Sequence, residues 1–187
     1  TGDGVNDAPA IKLANVGVGM GRSGTDVTKD VSDIILLNDS FDTITTAVSE
    51  GRRIYDNVIA NILYNLSSNF TEILIIIFGM FTGNTIISAI HVLYIDLVAD
   101  TIPSIALAYE GPAKNIMKEK PNGLDKKIFT KFFIVFLIFS VILETILSLF
   151  VFYHFLSLGH ETASTLALLS IVLNEFAFAY NCRSLKE

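Results

Sequence analysis

The sequence predicts an α/β segment leading into an all-α, polytopic bundle of four transmembrane helices, and three observations point there. Residues 1–56 are polar or mixed, although the chain as a whole is 51% hydrophobic with a mean hydropathy of +0.56. Four nearly continuous apolar runs follow, at about 58–81, 86–108, 132–155 and 163–180. Basic residues then fall on alternate connections between those runs.

Each element has its own justification. In 1–50, residues 6–14 read as a helix with Pro9 in its first turn, where proline is tolerated. Residues 16–20 and 33–37 are short apolar strands, and 25–31 is a helix between them, the rhythm of parallel strands with crossovers. From Phe41 a helical pattern of Phe41, Ile44, Val48 and Ile54, capped by Asp39 or Ser40, runs on towards the first apolar run. Only Gly51 interrupts it, so one helix is expected to couple residues 1–50 mechanically to the transmembrane part, 51–187.

The apolar runs match the ~20 residues a helix needs to cross about 30 Å of hydrocarbon. Buried helices of a soluble bundle are the alternative, but the third run has almost no polar face. Arg52 and Arg53 precede the first run, and Lys114, Lys118, Lys120, Lys126, Lys127 and Lys131 lie between the second and third. Arg183 and Lys186 follow the fourth, whereas 82–85 and 156–162 hold no Lys or Arg. The positive-inside rule therefore places the N-terminus, the 109–131 loop and the C-terminus in the cytoplasm. The lysines form one juxtamembrane loop, which gives no support to nucleic-acid binding. The formal charge of −6 says little about partners, because several acids fall within apolar runs and need not be ionised. Cys182 is the single cysteine, which excludes a disulfide framework and a thiolate metal site. No basic region followed by an apolar core opens the chain as a signal peptide would.

Chemistry concentrates in two places. In Thr1-Gly2-Asp3-Gly4-Val5-Asn6-Asp7 the two glycines allow a tight turn and the close approach of an anion, and Asp3 and Asp7 offer oxygen ligands to a hard cation such as Mg²⁺. Gly-Asp-Gly also makes ordinary turns, so composition alone leaves both readings open. In the apolar runs, Asn69 and Glu72 are three residues apart and Asp96 and Asp100 four apart, spacings that bring each pair onto one helix face. Carboxylates inside a bilayer are costly unless paired or bound to a cation, and protonated acids bonded between helices are the alternative. Pro103 removes a helix hydrogen bond and crowds the carbonyl of Ala99, so the helix should loosen beside Asp100. All-oxygen ligation suits Ca²⁺, Na⁺, K⁺ or H⁺ rather than copper or zinc. Glu144 stands in the third run without a nearby acid, and Asn61 and Asn65 share a helix face with Asn69.

The run Thr1-Gly2-Asp3-Gly4-Val5-Asn6-Asp7-Ala8-Pro9-Ala10 resembles the hinge motif of the P-type cation-transporting ATPases, and the resemblance extends over essentially the whole chain. It implies the end of a haloacid-dehalogenase-like phosphorylation domain, followed by what look like the fifth to eighth spans of that family. It implies that Asp3 binds the catalytic Mg²⁺ while Asn6 and Asp7 support the phosphate and metal site. The family forms an aspartyl-phosphate from ATP at an Asp-Lys-Thr-Gly motif, which does not occur here. The nucleotide-binding and actuator domains and the remaining spans would lie outside these residues, so this fragment alone is expected not to hydrolyse ATP. Its partners would be the bilayer, the transported cation and the rest of the pump.

Ser67-Ser68-Asn69-Phe70-Thr71-Glu72 and Asp96-Leu97-Val98-Ala99-Asp100 resemble the ion-binding parts of the fifth and sixth spans in calcium and sodium/potassium pumps. The resemblance makes Asn69, Glu72, Asp96 and Asp100 ligands of the transported cation. Glu175 falls where endoplasmic-reticulum-type calcium pumps supply a further carboxylate. Asp96 stands where the calcium branch usually has Asn, Ala99 where Thr is frequent, and Ala106-Leu107-Ala108-Tyr109-Glu110 looks like the alkali-cation branch. Glu175 favours Ca²⁺ export, with a monovalent-cation pump as the alternative. A non-enzymatic channel or scaffold is a remoter one, because it leaves the opening motif unexplained.

Overall fold

The computed structural model describes residues 1–118 and 128–184, so Lys120, Lys126, Lys127 and Lys186 of the charge pattern lie outside the described residues. The chain divides into two compact units, Thr1–Gly51 and Arg52–Glu187.

In the first unit a 3-10 turn, Val5–Asp7, runs into α1 (Ala8–Leu13), whose first turn accommodates Pro9. Strand β1 (Val18–Met20) leads through α2 (Asp26–Val31) to β2 (Ile34–Leu36). The two strands are parallel, with Val18 opposite Ile34 and Met20 opposite Leu36. Thr25 starts α2 by accepting the N–H of Thr28 on its hydroxyl. Gly2 makes a parallel bridge to Gly19 on the other edge of β1, where its N–H donates to Val18 O (3.1 Å) and its carbonyl accepts from Met20 (3.2 Å). The two strands expected at 16–20 and 33–37 thus form a minimal parallel sheet, whose core is Val18, Met20 and Leu36 with Ile44 against it.

The helix that begins here is α3 (Phe41–Thr82), unbroken across 42 residues, Gly51 included. Asp39 does not cap it. The residue has a positive φ of 55°, and its carboxylate accepts the N–H groups of Arg22 (2.9 Å) and Ser23 (2.7 Å). Those bonds tie two loops together and leave the start of α3 to Ser40, whose carbonyl accepts from Thr43 (3.1 Å). Asn38 Oδ1 supports that turn by accepting from Ser40 N and the Thr43 hydroxyl.

Among the described residues the helices long and apolar enough to span a membrane are Phe41–Thr82, Ala89–Ala108, Lys131–Leu158 and His160–Arg183. The second consists of α4 (Ala89–Tyr94), a π-type turn (Ile95–Ala99) and α5 (Thr101–Ala108). The third contains α6 (Lys131–Phe155), and the fourth is α7 (His160–Ser184). The expected loosening beside Asp100 is a widened turn rather than a break: Asp100 N–H donates to Ile95 O, five residues back, at 2.9 Å. Pro103 lies in the first turn of α5, where its missing N–H is tolerated.

Two apolar clusters hold the bundle. One gathers Ile75, Ile95, Ala99, Phe152 and Ile171, and the other gathers Leu63, Leu107, Phe133 and Phe178. Every span therefore passes from one cluster to the other through the stretch that carries its acids. At the end of α3 that carries Arg52 and Arg53, Arg52 Nη1 donates to Ile116 O (2.6 Å) and Arg53 Nη1 to Glu110 O (3.3 Å). Glu110 also pairs with Arg183 at 3.0 Å, so this end of the bundle is latched by the basic residues that carry the topology signal.

Hydrogen bonds from Arg22 first, and from Ser23, hold the Asp39 carboxyl below its ordinary value against a smaller opposing effect of burial. A depressed folded-state value means the linkage is present above the ordinary carboxylate range and is lost as pH falls through the lowered value. Amide exchange at Arg22 and Ser23 should stay protected at neutral pH and lose protection in acid. Asp39→Asn should remove the pH dependence of that protection.

Candidate functional site: a buried carboxylate layer

One face of α3 organises the layer between the two apolar clusters. Tyr64, Ser67, Ser68, Thr71 and Glu72 follow the i, i+3, i+4, i+7, i+8 spacing of a buried helical stripe, and all five are buried. The Tyr64 hydroxyl donates to Asp100 Oδ1 (2.8 Å) and the Ser68 hydroxyl to Glu175 Oε1 (2.6 Å). The Thr71 hydroxyl donates to Glu144 Oε2 (2.9 Å), and the Ser67 and Ser140 hydroxyls share a bond of 2.8 Å. One helix thus supplies a hydroxyl to an acid on each of the other three spans.

Glu72, Asp100 and Glu175 are 4%, 5% and 2% exposed, deep enough that an isolated charge would be costly. Glu72 Oε1 and Glu175 Oε2 are buried without a hydrogen-bond partner. Two orphaned carboxylate oxygens from different spans are chemically suited to a cation or proton. Among the described residues no three His, Cys, Asp or Glu side chains form a ready-made metal cluster, and Asp100, Glu175 and Glu144 are each bonded to a separate hydroxyl.

The remaining residues singled out in the sequence are placed differently. Asn69 and Asp96 are exposed on the surface of the bundle, and Asn69 Nδ2 donates to Asn65 O at 2.7 Å. In the first unit Asp3 and Asn6 are exposed. Asp7 Oδ2 accepts the N–H groups of Asp3 and Gly4, both at 3.1 Å, and so shapes the loop. Its side chain packs on Gly2 so closely that a Cβ there would collide with it, which explains that glycine.

Residues whose roles in the layer the sequence reading did not assign are Glu144, Tyr64, Ser67, Ser68, Thr71 and Ser140. Glu144 is 5% exposed and belongs to the same polar layer as the other acids.

Residues 84–187, more than half of the chain, match the family model described as Cation transporting ATPase, C-terminus. The chain belongs to this family. Over 98% of its length it is 39% identical to a calcium-transporting ATPase of Bacillus subtilis, covering 21% of that protein. Over 70% it is 47% identical to calcium-transporting ATPase 4, endoplasmic reticulum-type, of Arabidopsis thaliana, covering 12% of it. Over 66% it is 47% identical to the human sodium/potassium-transporting ATPase subunit alpha-4, again covering 12%. The chain therefore spans about a fifth or less of these relatives. As a C-terminal part of a P-type cation ATPase of calcium-pump-like type, it carries membrane-spanning helices where the family model matches.

In this member of the family, Tyr64→Phe, Ser68→Ala and Thr71→Val should each lower stability by about 0.6 kcal/mol, and at most about 1.7 kcal/mol, as hydrogen bonds between membrane helices do. Denaturant titration of the purified full-length protein in detergent reads the effect.

Proposed function

We propose that this chain forms part of an ATP-driven pump that exports Ca²⁺ through an aspartyl-phosphate intermediate, with the cation held by Glu72, Asp100 and Glu175. The carrying observation is the pair of buried, unpartnered oxygens, Glu72 Oε1 and Glu175 Oε2, on two different spans, with Asp100 buried on a third. Three carboxylates in one buried layer suit a divalent ion better than a monovalent one, and neutral oxygens and water complete the six to eight ligands that Ca²⁺ takes. Asn69 and Asp96 would join from the exposed side when other parts of the pump cover it, because an exposed acid in the middle of a span cannot rest against lipid.

Residues 1–50 in this reading end a haloacid-dehalogenase-like phosphorylation domain, and 51–187 belong to the cation-transport domain. The parallel bridge of Gly2 to Gly19 supports a further strand ending at the Thr-Gly-Asp-Gly turn. The donor set of that turn fits Mg²⁺: the exposed Asp3 carboxylate would hold it, with Asp7 shaping the loop and Asn6 beside it. When bound, the ion supplies positive charge against a phosphoryl group. Gly2 and Gly4 give that group room to approach the backbone. ATP itself would be bound mainly by other domains. The N-terminus, the 109–131 loop and the C-terminus lie in the cytoplasm by the same charge asymmetry as before.

A monovalent-cation pump is the second reading, favoured by Asp96 and by the identity to sodium/potassium-transporting relatives. ATP hydrolysis by the full-length protein, titrated separately with Ca²⁺, Na⁺ and K⁺, decides between them. Micromolar Ca²⁺ should stimulate it, and Asp100→Asn and Glu175→Gln should each abolish that stimulation. Stimulation by Na⁺ or K⁺ with indifference to Ca²⁺ would establish the second reading.

A further inference from the structure

Asp3 and Gly4 are held by every polar group of their backbone. Both N–H groups donate to Asp7 Oδ2 at 3.1 Å. On the carbonyl side, Asp3 O accepts the N–H of Thr25 and Gly4 O that of Asp7, each at 2.9 Å. The Thr28 hydroxyl then reaches the same two carbonyls, Gly4 O at 3.0 Å and Asp3 O at 3.3 Å, from 24 and 25 residues away in sequence.

Thr28 is fully buried, and its hydroxyl lies 2.8 Å from that of Thr25. A hydroxyl carries one proton, and that of Thr28 is committed to the carbonyls, so Thr25 is the donor between the two. The Thr25 hydroxyl in turn accepts the N–H of Thr28 at 3.3 Å, which fixes both side chains at the start of α2.

The two carbonyls have backbone partners without Thr28, so its hydroxyl is not needed to satisfy them. A side chain that only filled this space would serve equally well as valine, which has nearly the same shape. What the hydroxyl adds is direction, because it pins the two peptide planes that follow Asp3. None of the described hydrogen bonds uses the Asp3 carboxylate, which is exposed. A carboxylate left free on a backbone held from both sides is organised in advance for a ligand from outside.

We infer that Thr28 is a positioning residue of the Mg²⁺ site: its buried hydroxyl fixes the backbone of Asp3 and Gly4, so that the Asp3 carboxylate meets the ion in one orientation. The inference rests on the reading of Asp3 as the Mg²⁺ ligand given above. Groups that orient a metal ligand from behind are typically worth about tenfold or more in affinity or activity. Thr28 acts through the backbone, which places it at the lower end of that range.

The test compares Thr28→Val, Thr28→Ala, Thr28→Ser and Asp3→Asn in the full-length protein. One readout is the Mg²⁺ concentration that gives half-maximal phosphorylation by inorganic phosphate. In that reaction an aspartyl carboxylate takes the phosphoryl group and water leaves, the reverse of aspartyl-phosphate hydrolysis. The other readout is independent of turnover: amide exchange at Asp3, Gly4 and Thr25 without Mg²⁺. Thr28→Val should need about tenfold more Mg²⁺. Its Thr25 amide should exchange faster, while its melting temperature and the Ca²⁺ needed for half-maximal ATP hydrolysis stay nearly unchanged. Thr28→Ala should behave in the same way and replaces Thr28→Val if that variant fails to fold, and Thr28→Ser should restore the parent behaviour. Thr28→Val with the parent's Mg²⁺ requirement, beside an Asp3→Asn that raises the requirement or abolishes phosphorylation, would overturn the inference alone. Equal impairment in Thr28→Ser and Thr28→Val would also overturn it, by assigning the effect to packing. Asp3→Asn with the parent's Mg²⁺ requirement would remove the magnesium reading and the inference with it.

Discussion

The bundle depends on keeping carboxylates in a place where water cannot reach them. Glu72, Asp100, Glu144 and Glu175 are all about 5% exposed or less, on four different spans, between two apolar clusters. Removing an unpaired carboxylate from water is among the costliest changes a fold can make. The chain moderates that cost with hydroxyls, one to each of three acids, all carried by α3. The arrangement is incomplete by two oxygens, on Glu72 and Glu175, and a protein that fully satisfied its buried acids would have no reason to take up an ion.

The centrality of α3 follows from this requirement. A helix whose buried stripe is Tyr64, Ser67, Ser68, Thr71 and Glu72 cannot pack against apolar neighbours, and finds its partners only where the other three spans offer acids or hydroxyls at matching depth. The apolar residues at either end of that stripe, Leu63 and Ile75, then fall into the two clusters. Depth is thereby set twice, once by hydrogen bonds and once by packing, which fixes the vertical register of the spans. The latch of Arg52, Arg53 and Asn57 onto the carbonyls at 108–116 fixes the same register at one end.

Much of this was legible in the sequence, for reasons that differ by element. The spans follow from length and hydropathy, and the acids stand out because charge in an apolar run is rare. The hydroxyl stripe was legible in principle, since it obeys the helical period, but serine and threonine are common in membrane helices and carry no mark of their partners. Glu144 looked solitary because its partner, Thr71, is 73 residues away in sequence and only the packing of α6 on α3 reveals it. Sequence offers Asp39 and Ser40 equally as the cap of α3, because both residue types are common there; the left-handed backbone of Asp39 instead turns its carboxylate towards another loop. Pro103 rightly marked an irregularity, but the sequence could not say whether the helix would break or widen. The difference is one backbone bond, from Asp100 to Ile95.

The two apolar clusters have an electrical consequence. Hydrocarbon-like packing on both sides of the polar layer resists ion flow, so a potential applied across the bilayer falls largely over those clusters rather than over the oxygens between them. A charge moving from either face into the layer crosses only part of the potential, and crossing all of it corresponds to about 2.3 kcal/mol per elementary charge at 100 mV. On the transport reading proposed above, each half of a cation's journey is then a separate voltage-sensitive step. The thickness of packed isoleucine, leucine and phenylalanine on each side sets how the work is divided between them.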